Sequence, residues 1–498
     1  MPFINPMEAD ELRRKLTDDA SQLGKLYKSK KNDFYIKSVD HNLVESFLDD
    51  GWEEFGKPLK TKMRLRKAKK HNDKFEDDVW CQLHDLGFRH LNFTNDFNLP
   101  FGSGALEKKQ IDIIAVNEDC VLLVECKSSQ KHASAPSFKT EFEGLPQRLD
   151  GFGKALVELF GKGRKIKYIF ATRNLKLDRT SADVERLLST GSFFYNNNTY
   201  DYINRLIKAY KNAAHYQFLA LLFRGELINK ERIEVPAIEG RMGKKTYYMF
   251  SIEPHLLLKM GFILHRTRAN ENEMPTYQRL LVPSRLKGIS KFIKGGGYFP
   301  NSIILNFSKQ KNKLQFESST RGDDTRSRFG TLKVPNAYAI AYIIDGQHRV
   351  YGYAQSDFKD TNTIPVVAFQ GLESSEQLSI FMDINQNQKA VSATLRITLE
   401  EDLYWNSDRV DSRMKALRSS VIQELGSSIS GSLYNKISIG EDKALLSANP
   451  FATVLTRCGL LPVAKGNKYD EAKSKFSLYN IHNHDHSSEM SRARDCIV

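Results

Sequence analysis

The stretch QIDIIAVNEDCVLLVECKSS, residues 110–129, constrains the fold most. Two apolar runs of strand length, IDIIAV and VLLVECK, flank the turn-rich segment NEDC, which is the pattern of a β-hairpin. Asp112, Glu125 and Lys127 nevertheless lie inside these runs, where each costs free energy to desolvate. Strand register gives them a use. Pairing Val116 with Val121 sets Asp112 opposite Glu125, with Cβ atoms about 4.5–5.5 Å apart. Alternation then puts Lys127 on the same face as Glu125 and turns Cys126 away. Two carboxylates so close repel unless a divalent cation lies between them, and Mg²⁺ is a hard ion that takes oxygen ligands. Lys127 suits a place beside an attacking water or a scissile phosphate, because a partly buried ammonium shifts its pKa readily. Without a metal the same residues read as a buried ion pair.

Composition narrows the class. With 40% hydrophobic and 11% aromatic residues the 498-residue chain is not wholly disordered, and it is long enough for roughly two to four domains. No apolar run approaches the ~20 residues of a membrane span. The start, MPFINPMEADELRRKL, has neither the basic nor the apolar region of a secretory signal, so a cytoplasmic protein is expected. Cys81, Cys120, Cys126, Cys458 and Cys496 form no CxxC pair, against a disulfide framework or a structural zinc site. The net charge of +14 fits a polyanion binder, and residues 57–74 alone carry nine Lys or Arg against one Asp. That run also reads as a solvated linker.

Periodicity predicts short amphipathic helices before residue 57 and a helix over DKFEDDVWCQLHDLGF, with Phe75, Val79, Leu83 and Leu86 in phase and Gly87 to end it. Strands and helices alternate to about residue 197, which argues for an α/β layer domain. Residues 198–228 read as helical, 235–370 as β-rich, and the last hundred as helical and polar with a Ser/His-rich tail.

A helix carrying Glu76, then the Asp112 strand, the Glu125-x-Lys127 strand and a further helix is a chain order that resembles the PD-(D/E)xK restriction-endonuclease-like nucleases over residues 70–175. The resemblance implies a metal-dependent phosphodiesterase in which Asp112 and Glu125 hold Mg²⁺ or Mn²⁺, Lys127 activates water and Glu76 assists. Ile111 stands where that family's name-giving proline would be, and Gln147 is a further candidate.

In AYAIAYIIDGQHRVYGYA, residues 337–354, an apolar strand breaks at Asp345-Gly346 into a predicted helix. Gly346 permits a tight turn, the helix N-terminus favours an anion, and His348 and Arg349 add charge. From spacing alone this also reads as an ordinary capped turn. The motif DGQHR, with TYQRLLVPSRLKGISKFIKGGGYFPNSIILNF and FMDINQNQKAVS, resembles the DGQHR-domain proteins, which include the DndB-type proteins of DNA phosphorothioation systems and are similar to the ParB/sulfiredoxin-like fold. The likeness covers roughly 200–400. It implies a nucleotide- or DNA-backbone-binding site of Asp345, Gly346, Gln347, His348 and Arg349, with Asn385, Gln388 and Lys389 as neighbours following a helix capped by Ser374 and Gln377.

Other signals are weaker. Gly295–Gly297 lack the ending of a P-loop, and His482, His484 and His486 read as a solvated tail rather than a metal site. No GxSxG elbow occurs.

The expected organisation is a helical region with basic linker (1–68), a restriction-endonuclease-like α/β domain (69–197), a ParB/sulfiredoxin-like DGQHR domain (198–400, with a helical lead-in to 234) and a helical C-terminal region (401–498). The expected function is a Mg²⁺-dependent nuclease acting on nucleic acid, DNA above all. It would be coupled to a site for ATP or another nucleoside triphosphate, in DNA modification or anti-phage defence, with partner proteins, no membrane, and oligomeric state open. Two rivals stand beside it: a non-catalytic DndB-like DNA-binding regulator, and an NTPase or phosphotransferase centred on DGQHR.

Overall fold

In the computed structural model, the predicted hairpin forms in the expected register: Ile113 pairs with Val124 and Val116 with Val121. The turn is closed by Asn117, whose side-chain oxygen accepts the backbone N–H of Asp119 (3.0 Å) and Cys120 (2.7 Å). The structure describes residues 3–498 except 103, 105, 179, 229, 264–279, 309–312, 320–325, 387–392, 429–430 and 441–442. The chain divides into two units, Met1–Ile207 and Lys208–Val498.

In the first unit, α1 (Pro6–Arg14), β1 (Leu16–Thr17) and α2 (Ala20–Lys31) precede β2 (Phe34–Asp40), α3 (Val44–Asp49), β3 (Glu53–Glu54) and β4 (Lys62–Ala68). These last three strands pair antiparallel in the order β2-β4-β3. The basic run is therefore not a linker and its region not wholly helical, because residues 62–68 are the middle strand of a small sheet. Met63 and Leu65 pack with Val39, Phe47 and Trp52. Alternation sends Arg64 and Arg66 to the other face, where long cationic side chains reach water. There the Arg66 guanidinium lies 4.7 Å from the Phe34 ring centre and 5.5 Å from that of Phe55.

The unit continues with α4 (His71–Asp85), β5 (His90–Asn92), the paired β6 (Asn98–Pro100) and β7 (Lys108–Gln110), β8 (Ile113–Val116) and β9 (Cys120–Ser134). It closes with α5 (Lys139–Glu143), α6 (Leu145–Phe160), β10 (Lys165–Lys176), α7 (Ala182–Ser189), β11 (Phe193–Tyr195) and α8 (Asn197–Tyr210), which runs across the unit boundary. Six strands form one sheet, β1-β5-β8-β9-β10-β11, antiparallel as far as β9 and parallel from β9 to β11. Phe75, Val79 and Leu83 of α4 are buried, and Gly87 follows its end at φ +102°, as its placement predicts. The apolar stripe of α6, including Phe152, Ala155 and Leu156, joins Leu123 and Phe170 in the core.

In the second unit, α9 (Ala214–Phe223), β12 (Ile233–Met242), β13 (Lys245–Ile252), α10 (Pro254–Met260) and β14 (Gly261–Phe262) lead to α11 (Pro283–Lys294). Then come β15 (Ile303–Phe307), β16 (Gln315–Ser318), β17 (Arg328–Val334), β18 (Ala341–Asp345), α12 (Gln347–Gly352), β19 (Ile364–Gln370) and α13 (Ser374–Gln386). The eight strands form a mixed sheet in the order β14-β18-β15-β19-β13-β12-β17-β16. Tyr342, Ile344 and Phe369 from the sheet pack with Leu378 and Phe381 of α13. The predicted capping box is shifted by one residue: Glu373 precedes the helix, and Glu376, not Gln377, reaches back to its N–H at 2.9 Å. Gln377 instead donates to the Leu372 carbonyl at 3.0 Å.

The chain ends with α14 (Ala393–Tyr404), α15 (Val410–Ser427), α16 (Ala448–Arg457), the short pair β20 (Ala464–Lys465) and β21 (Lys468–Tyr469), α17 (Glu471–Ser474) and α18 (His486–Ile497). Leu417 and Val421 of α15 pack with Ala448 of α16 and Met490 and Ala493 of α18. Of the predicted solvated tail, His482 and His484 are exposed ahead of α18, whereas the helix from His486 onward is docked. Asp485 caps it by accepting the Ser488 N–H at 3.1 Å, and His486 Nδ1 lies 3.2 Å from the Tyr479 hydroxyl. Among the described residues, no helix is long and apolar enough to cross a membrane.

Candidate active site and the DGQHR turn

Strand β9 carries Glu125 and Lys127 two residues apart; Asp112 lies in the bend just before β8, one position beyond the Ile113–Val124 pair that ends the ladder. The Asp112 carboxylate accepts the backbone N–H of Cys126 at 2.7 Å, which fixes it at the mouth of the hairpin. Glu125 is buried at 5% exposure. Its Oε1 lies 2.5 Å from Lys127 Nζ, and its Oε2 lies 3.2 Å from Lys109 Nζ without forming a hydrogen bond. Lys109 also reaches Glu141 of α5 at 3.2 Å. Neither Lys109 nor Glu141 was singled out in the sequence. The signal for Lys109 was there, in the KKQ triplet that leads straight into Ile111 and Asp112.

Electrostatics marks the cluster as over-supplied with carboxylates. Burial, followed by the charge of Glu125, pushes the Asp112 carboxyl up to about 6. Burial, followed by the charge of Asp112, pushes Glu76 on α4 up to about 7. Burial works against the Lys127 ammonium, but the Glu125 carboxylate more than offsets it and the net shift is upward. Lys127 is therefore held as a cation. Gln147 is exposed on the first turn of α6 and has no hydrogen bond to these groups.

The donor set suits a hard divalent cation. Asp112 and Glu125 are close enough for the charge of one to raise the carboxyl of the other, and Glu125 Oε2 is buried without a hydrogen-bond partner among the described residues. Among those residues no group of three or more His, Cys, Asp or Glu is arranged to ligate a metal. A pair of carboxylates is nonetheless what Mg²⁺ commonly takes, filling its other positions with water and phosphate oxygens.

At the second constellation, Gly346 adopts φ +97° between β18 and α12. A Cβ there would lie 2.4 Å from Ile303 Cδ1, so glycine is required by both conformation and space. Arg349 is turned inward. It pairs with Asp345 at 3.0 Å, donates to the Ser302 carbonyl at 3.2 Å and also donates to the Asn301 carbonyl. His348 Nε2 lies 3.5 Å from the Val282 N–H, and Gln347 Oε1 is buried without a partner among the described residues. The motif thus acts first as a buckle that ties α12 to the chain before β15. Gln388, Lys389 and the Asn385 side chain lie outside the described residues. Gly346→Ala is expected to cost about 1–3 kcal/mol of stability, from strain at positive φ plus the Ile303 contact, read as a lowered urea midpoint with unchanged slope.

No curated protein matches the chain. A solved structure, "Crystal structure of protein VC1899 from Vibrio cholerae", is similar at 12% identity and a TM-score of 0.19, with 43% of this chain and 58% of that chain covered. The chain thus spans less than two thirds of that protein. Residues 235–433, from β12 into the C-terminal helices, match the family model DndB, described as DNA-sulfur modification-associated.

Proposed function

We propose that this chain is a DNA-directed protein of the DNA-sulfur modification setting that its 235–433 segment resembles, and that its first unit is a metal-dependent phosphodiesterase of the restriction-endonuclease-like type. The observation that carries the proposal is the β8–β9 pairing, which with the Asp112 bond to the Cys126 N–H gathers Asp112, Glu125 and Lys127 where β8 leaves the longer β9. The order of α4, the hairpin, α5 with α6, and β10 supports the same reading. In the second unit, a strand, a left-handed glycine and a helix set on a mixed sheet fit a ParB/sulfiredoxin-like reading.

Asp112 and Glu125 would hold Mg²⁺ or Mn²⁺, which when bound supplies Lewis-acid stabilisation of a phosphoryl oxygen and a more acidic water. Lys127, held as a cation, neutralises charge on the scissile phosphate rather than serving as a base. Glu76, with its carboxyl near 7, is the group suited to exchange a proton at neutral pH. The exposed Arg64 and the Arg66 face of the β2-β4-β3 sheet offer sequence-independent contact to phosphates.

One observation favours a second reading, a DNA-binding regulator without catalysis: an ammonium group already lies beside each Glu125 oxygen. The deciding experiment is cleavage of supercoiled plasmid and of single strands by the full chain with Mg²⁺ or Mn²⁺, with and without ATP, GTP or CTP. The nuclease reading expects metal-dependent cleavage that Lys127→Ala reduces by about 10²-fold or more. Absence of cleavage in every condition, with salt-sensitive DNA binding that persists in EDTA, establishes the regulator.

A further inference from the structure

Between Glu273 and Glu317 the sequence holds no Asp or Glu, yet it holds eight Lys or Arg. Helix α11 lies in this interval. Its inner stripe is apolar: Leu286 and Ile293 are buried, and Ile289 meets α12 so closely that a Cβ at Gly352 would lie 2.5 Å from its Cγ2. Its outer side carries Lys287, Lys291 and Lys294, all exposed, within roughly 60° of arc at 100° per residue. Among the described residues no carboxylate pairs with any of them. Like charges at i,i+3 and i,i+4 destabilise a helix. An ordinary solvated face relieves that by interspersing acids, and here none is available. The Arg349 contacts to the Asn301 and Ser302 carbonyls hold the chain that follows the glycine turn after α11, so the stripe stands on a braced element.

We propose that the Lys287–Lys291–Lys294 stripe of α11 is a docking surface for the phosphate backbone of duplex DNA, and that the DGQHR turn positions it rather than binding the phosphates itself. Charge complementarity selects the partner. From Lys287 to Lys294 is about 10 Å of helix axis, and each strand of B-DNA presents a phosphate every ~3.4 Å along its axis, so the stripe spans about three phosphates. The surface is independent of the carboxylate cluster in the first unit and would serve a nuclease or a regulator alike.

The test is fluorescence anisotropy of a labelled 30-bp duplex with the full chain across a KCl series, comparing wild type with K287Q/K291Q/K294Q. Releasing about three counterions fewer should lower the slope of log K against log salt by about 2.7, so that wild-type affinity falls about 40-fold more than the variant's between 50 and 200 mM salt. K287R/K291R/K294R should restore the slope. K465Q/K468Q/K475Q, which removes the same charge from exposed C-terminal positions, should leave it unchanged. An unchanged slope in the α11 variant, an equal drop in the C-terminal control, or a drop seen only with single strands overturns the proposal. Because binding is read without cleavage, failure of the nuclease reading leaves this result intact.

Discussion

Asp112→Asn should abolish both divalent-cation binding and metal-dependent cleavage. The substitution keeps a side-chain oxygen to accept the Cys126 N–H, so the hairpin mouth holds its shape. What it removes is the negative charge that, with Glu125, would make the pair a cation site. Loss of several kcal/mol of transition-state stabilisation corresponds to a fall on the order of 10³-fold in rate. A readout independent of activity comes from thermal unfolding. At a Mn²⁺ concentration of about 100 Kd the wild type should gain about 2.7 kcal/mol of stability, and the variant nothing. Lys127→Ala separates binding from chemistry, because it should keep the Mn²⁺-induced rise in Tm while losing cleavage. If wild type and Asp112→Asn respond equally to Mn²⁺, Asp112 is not a ligand and the cluster is an ion-pair network.

How much of this was legible beforehand depends on whether local pattern or distant packing decides the element. The β8–β9 register was readable because Val116 and Val121 flank a turn whose Asn117 closes it locally, and one index sum then fixes every partner. Helix α4 was readable from four apolar positions and a glycine stop. The β2-β4-β3 sheet was not, since charge dominated Lys62–Ala68, and Leu65 gains a core to face from Val39, Val44, Phe47 and Trp52, brought in from elsewhere. Helix α18 was missed for the same reason: Met490 and Ala493 are too few to signal a buried face until α15 supplies its other half. At the site, Lys109 escaped notice because among the described residues β7 pairs with β6 alone, and its approach to Glu125 is a tertiary contact. At DGQHR the residue types suggested an anion, but the sequence could not reveal that the Asn301 and Ser302 carbonyls, 48 and 47 residues away, take Arg349 donors.

Glu76→Gln should make the metal-free protein more stable at pH 8 than wild type, and equally stable at pH 4. The folded-state carboxyl titrates near 7 against an ordinary 4.5, raised by burial and then by Asp112. Between those values the native state holds a proton that the unfolded chain has released, so wild-type stability falls as pH rises through about 4.5 to 7. Asp112, raised from 3.8 to about 6, adds a loss of the same sign over a lower window that the Glu76 variant retains. Because Glu76 is only partly buried, solvent screening reduces its share to about 1–3 kcal/mol. Glutamine has no proton to lose and removes that share, so urea midpoints of the two proteins in EDTA should diverge only above pH 5. Saturating Mn²⁺ should close the gap at pH 8, because a cation compensates the carboxylate repulsion that the substitution relieves. Coincident midpoints at pH 8 would mean that Glu76 does not sense the cluster, and would remove it from the proposed chemistry. A gap that Mn²⁺ closes would instead identify the stability lost at neutral pH as the cost of keeping three acids together for a metal.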